Sequence, residues 1–431
     1  MSEIPPSRNG GAPGSRDGWI LLASGCLALA PFVAYHRMFE RLFWFGDEFD
    51  LIDQIDRVGF WRWMWVVFAE NFVPVFKLLW GGGVLAFGGS YIAMLSVAWL
   101  THAVNVALLG RVMRACGLSW VAVVFAQVAF GLPPANIETL AWTVQWSAVL
   151  SVMFMLLALD GFFRAPTGPA SFAWAAASAL SFSRGVLAGP LLALGSLWPG
   201  GDRAPAGPAK RAIRAACYLL PAAAVAALIA VLATGNHQHM KGHWGEAAAF
   251  GTWYYCLNPA YHLLSVESWG WRTVVLLGLC KLALAGWAIL RSQGRQRLLF
   301  VLLVAFDLGN AALLGIGRYH TGLLATVSSR YQYASLIGIA PLAGFWASRQ
   351  WDRIPLPAVL RSLAASVLLA AGALHLCRQW GGELDPFTDS RGTESRRILL
   401  LEANPDPHSV PGIPGLPMDR ARAIIAKYGL H

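Results

Sequence analysis

Asp47 and Glu48 are adjacent carboxylates that follow Gly46, shortly after the first apolar segment of the chain. If that segment crosses a membrane, a carboxylate at this place can take a proton from an acceptor hydroxyl at the water–lipid boundary, as general-base catalysis requires. The same pair also suits the start of a helix, because acidic side chains favour the positive end of the helix dipole. The residues alone leave both interpretations open.

Three arginines stand where a guanidinium is unexpected. Arg184 interrupts an apolar stretch, and Arg318 and Arg330 bracket a short segment, each next to a tyrosine. Arginine binds phosphate oxygens bidentately, so these residues could hold a lipid-linked phosphate at the membrane interface. The alternative is that their side chains extend from apolar surroundings to lipid headgroups.

A histidine-rich segment offers weaker chemistry. His237, His239, His243 and His262 occur with Glu246 in one stretch. Imidazole suits zinc, but the spacing fits no tight metal-binding template. The sequence therefore predicts no cofactor, and a divalent metal remains an alternative without a clear motif.

Two charges fall inside apolar segments. Lys281 and Asp307 are placed at nearly equal depth in neighbouring antiparallel segments, so they can form an ion pair, which avoids leaving one charge buried alone. A structural pair is favoured over a proton relay. His102 and Asn105 share one helix face and are predicted to make interhelical hydrogen bonds.

Composition identifies the environment in which these residues act. Of 431 residues 56% are hydrophobic and 13% are charged, whereas a soluble domain has about 25% charged residues. This excludes an ordinary soluble protein, and it also excludes a disordered one. The net charge of +10 comes from basic residues between apolar segments and not on one face, so we expect no nucleic-acid partner. The fold class expected is an all-α polytopic membrane protein in contact with the lipid bilayer.

The apolar segments predict about 11 transmembrane helices, within a range of 9–13, since each span needs about 20 mostly apolar residues. The expected spans are 18–35, 91–110, 119–134, 137–159, 170–183, 185–199, 212–233, 273–292, 298–316, 332–348 and 357–376.

Lys and Arg in short loops predict the orientation, because cytoplasmic loops carry an excess of these residues. They place the N-terminus in the cytoplasm and the C-terminus outside. A transmembrane domain of residues 1–376 then has outer loops at 36–90, 234–272 and 317–331, followed by a short extracytoplasmic tail at 377–431. The first loop is predicted to contain amphipathic helices lying on the membrane, with Asp50, Asp53 and Asp56 facing water.

With these features the chain resembles the GT-C superfamily of polytopic membrane glycosyltransferases, in particular a poorly characterised bacterial branch. The resemblance rests on a span, an outer loop that opens with Asp47-Glu48, flat helices and a polar-x-x-Pro entry to the next spans. It also rests on these short motifs: Asn136-Ile137-Glu138 with Trp142 and Gln145, Ser181 to Gly185 around Arg184, Gly317-Arg318-Tyr319, Ser328-Ser329-Arg330-Tyr331, and the tail from Ala403 to Leu430.

The resemblance implies a function and a set of site residues. Such enzymes move a sugar from a polyprenyl-phosphate carrier to a glycan, lipid or protein acceptor on the outer face. The acidic residue of their first outer loop is the usual base or acceptor-positioning group. That role falls on Asp47, with Glu48 beside it. The substrate-binding residues implied are Arg318, Arg330, Tyr331, Arg184, Asn71, Glu138 and Gln145. Many bacterial relatives have a histidine where Asn71 stands, so the titratable group of that position is missing here.

The leading hypothesis is therefore an inverting glycosyltransferase in the bacterial inner membrane, using a polyprenyl-phosphate sugar donor. A lipid-linked saccharide transporter or flippase is the first alternative, and a non-catalytic protein of envelope assembly is the second. No P-loop or nucleotide-binding domain is visible in the sequence, so a cytosolic nucleotide-sugar donor is not expected.

Overall fold

The computed structural model describes residues 15–68, 71–165, 168–198, 207–232, 242–264, 270–393, 396, 399 and 416–431. Within these ranges the chain is helical, and its only extended pairing is one bridge between Phe68 and Asn71. The predicted all-α class is confirmed for this part of the chain.

The α-helices of the described ranges are numbered in chain order. They are α1 (Ser15–Leu27), α2 (Ala30–Ala34), α3 (His36–Phe39), α4 (Asp47–Val58), α5 (Phe60–Trp63), α6 (Pro74–Ala86), α7 (Tyr91–Ala115), α8 (Trp120–Gly131), α9 (Ile137–Ala141), α10 (Trp146–Arg164), α11 (Pro169–Ala179), α12 (Ala188–Leu197), α13 (Pro208–Leu232), α14 (Trp244–Leu257), α15 (Ala260–Leu263), α16 (Trp271–Arg291), α17 (Gly294–Arg318), α18 (Gln332–Trp351), α19 (Ala358–Thr388) and α20 (Met418–Tyr428).

Fewer helices could cross a membrane than the sequence predicts. In the described ranges six are long and apolar enough, or seven if a pair of helices bent by 48° counts as one span. The six are Tyr91–Ala115, Thr143–Arg164, Pro208–Leu232, Trp271–Arg291, Gly294–Thr321 and Ala358–Thr393, and the bent pair is Trp120–Gly131 with Pro134–Ala141. A membrane-embedded protein is thus supported, with a smaller number of spans than eleven.

The remaining four predicted spans have identifiable defects. The segment 18–35 is divided between α1 and α2, and neither half is 18 residues long. The segments 170–183 and 185–199 form α11 and α12, which have 11 and 10 residues and are separated by a 3-10 helix at Ser183–Leu187. The segment 332–348 forms α18, which is long enough but carries several polar residues, among them Gln332, Arg349 and Gln350.

Proline and glycine determine how the helices are divided and packed. The break between α8 and α9 lies at Pro133 and Pro134, because proline has no backbone N–H and its ring clashes with the preceding turn. Small residues allow close helix contacts elsewhere. A Cβ atom added to Gly251 of α14 would lie 2.9 Å from the Ala311 carbonyl oxygen of α17, so the backbones of these two helices meet there.

The first loop contains the predicted amphipathic helix, which is α4. Its apolar side chains, among them Phe49 and Ile52, are buried. The prediction that its aspartates face water is wrong for Asp53, which is 4% exposed. The reason is α20, the last helix of the chain, which packs against this face of α4 and supplies Arg420.

Candidate active site

Most of the predicted site residues line one cavity. It has a volume of about 470 Å³ and lies between α4, the turn before α10, the 3-10 helix at 183–187, α13 and the C-terminal end of α17. Seven of the nine residues predicted from the sequence line it: Asp47, Asn71, Gln145, Arg184, Arg318, Arg330 and Tyr331. These residues come from five separate parts of the chain, so only the fold brings them together.

Asp47 is the first residue of α4, and its exposed side chain lines the cavity. The preceding Gly46 has a φ of 56°, a conformation that favours glycine and turns the chain into the helix. The surrounding protein atoms raise the pKa of Asp47 above its usual range, while the positive charges of Arg330 and Arg318 partly offset that rise. A carboxylate with a raised pKa is a stronger proton acceptor, as a general base needs to be.

Glu48 has a different position from its neighbour. It is fully buried, and it does not line the cavity. Its Oε1 accepts hydrogen bonds from the backbone N–H of Thr143, at 3.0 Å, and from the Thr143 hydroxyl, while Oε2 accepts from the Phe45 N–H at 2.8 Å. Burial raises the pKa of Glu48 to about 8. Glu48 therefore connects α4 to the turn before α10, a contact that differs from the helix-start cap offered as the structural alternative.

Arg318 and Arg330 reach the cavity from the two ends of one segment. Arg318 ends α17, and the chain then runs through three short 3-10 helices, Tyr319–Thr321, Leu323–Val327 and Ser329–Tyr331. Arg330 Nε donates to the Ser328 hydroxyl over 3.1 Å. Two guanidinium groups therefore face the same cavity as the Asp47 carboxylate.

Glu138 holds the end of this segment in place. One of its carboxylate oxygens accepts hydrogen bonds from the hydroxyls of Ser328 and Ser329, at 2.9 and 3.1 Å, and from the backbone N–H of Arg330, at 3.2 Å. The other oxygen lies 3.8 Å from Arg330 Nε. Glu138 does not line the cavity, so it positions Arg330 and does not itself face the space that a substrate would occupy.

Arg391 is a contributor that the sequence did not indicate. It lies in a π-helical turn, Asp389–Thr393, that continues α19, and its Nη2 donates to Glu138 over 2.8 Å. Its guanidinium also lies 5.2 Å from the Trp142 ring centroid and 4.5 Å from that of Phe387. No motif around Arg391 points to this role, because Glu138 and Trp142 are more than two hundred residues away in the chain.

Arg184 is the most buried of the three cavity arginines. It is 4% exposed, and its guanidinium lies 5.0 Å from the centroid of the Phe182 ring. Its Nη1 is buried without a hydrogen-bond partner among the described residues. A buried cationic donor without a partner is costly.

Part of the cavity wall is apolar. Ala226, Ile229 and Ala230 contribute from α13, and Leu313 and Leu314 from α17. The most apolar stretch of α13 is largely unburied by the rest of the protein. The cavity therefore joins a cationic region to a wall that suits a hydrocarbon chain.

The ion pair predicted inside the membrane is confirmed. Lys281 Nζ lies 2.5 Å from Asp307 Oδ2, and it also donates to the carbonyls of Tyr255 and Asn258. These bonds satisfy the ammonium group away from water.

The predicted interhelical hydrogen bonds of α7 also form. His102 Nδ1 lies 2.9 Å from the Tyr333 hydroxyl of α18, and Asn105 Nδ2 donates to the same oxygen over 2.8 Å. Tyr333 thus links α7 to α18 inside the bundle.

The histidines proposed as a weak metal site are not gathered in the described ranges. His243 Nδ1 lies 3.2 Å from Glu246 Oε1, and His262 Nε2 lies 2.6 Å from the Val327 carbonyl. His237 and His239 lie outside the described residues. Where the structure describes the chain, no three His, Cys, Asp or Glu residues come close enough to hold a metal.

The cavity combines one proton acceptor, three guanidinium groups and an apolar wall. Guanidinium groups suit an anion such as a phosphate, and the carboxylate suits a hydroxyl that is to lose its proton. No protein-family model matches the sequence, and no curated protein matches it significantly.

Proposed function

We propose that the protein is a membrane glycosyltransferase of the GT-C type that moves a sugar from a polyprenyl-phosphate donor to an acceptor hydroxyl. The observation that supports this most directly is that Asp47 lines one cavity with Arg184, Arg318 and Arg330. The apolar wall from α13 and α17 is suited to the polyprenyl chain of such a donor.

In the proposed reaction the acceptor oxygen attacks the anomeric carbon of the sugar while its proton passes to the Asp47 carboxylate. The bond between the anomeric carbon and the phosphate oxygen breaks, and its electron pair stays on the phosphate. The sugar is transferred with inversion, and polyprenyl phosphate leaves. Negative charge grows on the phosphate during this step, so the fixed charges of Arg318 and Arg330 lower the barrier.

The proposed setting is the bacterial plasma membrane, with the N-terminus in the cytoplasm and the site on the outer face. This orientation requires α1 and α2 to cross the membrane together as one broken span. The excess of basic residues in the alternate loops supports this orientation. Because α20 packs on α4, the C-terminal helix belongs to the same face as Asp47. A reporter that fluoresces only in the cytoplasm, fused after His431, should stay dark, and a bright fusion would contradict the orientation.

Binding of the carrier phosphate is the first experiment. Arg330→Ala should weaken the binding of undecaprenyl phosphate to the purified protein by roughly tenfold or more, because a hydrogen bond to a charged group contributes about 1.5–3 kcal/mol. Arg353→Ala is the matched control, since Arg353 is exposed just beyond the end of α18 and bonds to Gln350. Equal affinity in the wild type and in Arg330→Ala would remove the phosphate site from the proposal.

A further inference from the structure

Glu138 lies between two arginines, and only one of them lines the cavity. Its Oε1 atom is 2.8 Å from Arg391 Nη2 and 3.8 Å from Arg330 Nε, so its closer bond is the one to Arg391. Arg330 lines the cavity, whereas Arg391 does not. The Glu138 side chain is only 8% exposed, so water and salt screen these interactions little. The two arginines therefore compete for one buried carboxylate oxygen.

The end of α19 holds Arg391 in this position. The π-helical turn Asp389–Thr393 carries it, and Arg41 bonds to Asp389 at the start of that turn. A Cβ atom on Gly392 would collide with the Arg41 carbonyl oxygen, so the backbone of the turn packs directly against the chain segment that leads into α4. π-Helical turns are rare and occur frequently at functional sites.

Aromatic rings hold the Arg391 side chain in its direction. Its guanidinium lies 4.5 Å from the Phe387 ring centroid and 5.2 Å from the ring centroids of Phe45 and Trp142. A cation is attracted to the electron-rich faces of such rings. The guanidinium is thus held beside Glu138 from several sides.

Removing Arg391 would change the partners of Glu138. Among the described residues, Arg330 would be the one cationic neighbour left to Glu138 Oε1. A buried carboxylate that loses its partner is costly, and a shift of about 1 Å would bring Oε1 to hydrogen-bond distance from the Arg330 guanidinium. A guanidinium paired in this way offers less charge and fewer N–H groups to an anion in the cavity.

We propose that Arg391 is a positioning residue of the phosphate site: by holding Glu138, it keeps the Arg330 guanidinium available to an anionic group in the cavity. This inference rests on the proposed function, which assigns phosphate binding to Arg330. It adds a residue outside the cavity that sets the affinity of that site.

Binding of undecaprenyl phosphate to the full-length protein in detergent tests this role. Arg391→Met should weaken binding roughly fivefold, since part of a charge-assisted interaction is lost. Arg391→Lys should bind within about twofold of the wild type, because one hydrogen bond joins Arg391 to Glu138 and an ammonium group can donate it. Arg396→Met is the control and should bind as the wild type does, since Arg396 is exposed and its guanidinium lies over the Phe43 ring.

A double-mutant cycle separates this role from packing. If Arg391 acts through Glu138, Arg391→Met should change the affinity of the Glu138→Gln protein by less than about twofold. An equal loss in both backgrounds would assign the effect to the aromatic contacts and would overturn the proposal. A lysine variant as weak as Arg391→Met would overturn it too, because the charge would then not be what Arg391 supplies.

A cryo-EM structure of Arg391→Met tests the geometry without any ligand. Glu138 Oε1 should lie about 3 Å from a nitrogen of Arg330, and an unchanged separation would overturn the inference. If the wild type does not bind undecaprenyl phosphate, the proposed function fails. If the wild type binds it and Arg391→Met binds it equally well, only the role of Arg391 fails.

Discussion

Arg420 Nε lies 2.6 Å from Asp53 Oδ1, so the last helix of the chain is bonded to the helix that carries Asp47. Arg420 Nη2 also lies 2.6 Å from Asp56 Oδ2, and Lys427 pairs with the same aspartate. These bonds lower the pKa of Asp56 to about 2. The C-terminal segment is therefore part of the structure that supports the candidate site.

Arg420→Ala should loosen α4. Losing these partly exposed ion pairs is expected to cost about 1 kcal/mol locally, which corresponds to roughly fivefold faster amide exchange. Hydrogen exchange over residues 47–58 measures this effect. Arg378→Ala, which changes an exposed arginine of α19, should leave exchange in α4 unchanged. Equal protection of α4 in all three proteins would show that α20 does not support it.

Glu48 should make stability depend on pH. Its pKa in the folded protein is about 8, above the ordinary value of a glutamate in an unfolded chain. The stabilisation that protonated Glu48 contributes is therefore fully present below its ordinary pKa. It is lost as the pH rises through the folded-state pKa of about 8. The melting temperature of the wild type should therefore fall as the pH rises from about 4.5 to about 8 and should level off above that.

Glu48→Gln should reduce that fall, because a glutamine cannot ionise. Glu383→Gln, which changes an exposed glutamate of α19, is the control and should behave as the wild type does. If the melting temperatures of wild type and Glu48→Gln decline in parallel over this range, the pKa of Glu48 is not the cause.

The Lys281–Asp307 pair should be more costly to break than to remove. Lys281→Met leaves a buried carboxylate and is expected to cost about 3–5 kcal/mol, whereas Lys281→Met combined with Asp307→Leu should recover much of that loss. Thermal unfolding in detergent compares the wild type with these variants and with Asp307→Leu alone. A double variant as unstable as the sum of both single variants would contradict a simple structural pair.

Glu138→Gln should weaken phosphate binding from outside the cavity. It removes the charge that faces Arg330 and Arg391, so the segment at Ser328 and Ser329 loses order. We expect the affinity for undecaprenyl phosphate to fall by roughly tenfold, since charge-assisted hydrogen bonds are lost. Glu246→Gln provides a comparison at an exposed position. Unchanged affinity in Glu138→Gln would contradict its positioning role.

The helical class and much of the site could be predicted from the sequence for physical reasons. Long apolar segments identify a membrane protein, and a charge in such surroundings stands out against them. Arg184, Arg330 and Lys281 could thus be selected from the amino-acid sequence alone, because charged residues there are costly unless they are used or paired.

Other features depend on contacts that no local pattern contains. Hydropathy overcounted the spans, since apolar segments such as 170–183 form helices too short to cross a membrane alone. The sequence does not show which of the adjacent carboxylates Asp47 and Glu48 faces the cavity. Only the fold places Asp47 at the cavity and Glu48 against Thr143. The roles of Arg391 and Arg420 arise from pairings across most of the chain.

We propose that Asp47 accepts the proton in a transfer reaction and is not only a residue of a binding site. The direct measurement is transfer of radiolabelled sugar from a polyprenyl-phosphate donor in membranes that contain the wild type or Asp47→Asn, with donor binding measured in parallel. The substitution removes a proton acceptor and little volume, so transfer should fall by at least about a hundredfold while donor affinity is retained. Full transfer by Asp47→Asn would show that Asp47 is not the proton acceptor. A wild-type protein that binds the donor and moves it across the membrane without transferring the sugar would be a transporter.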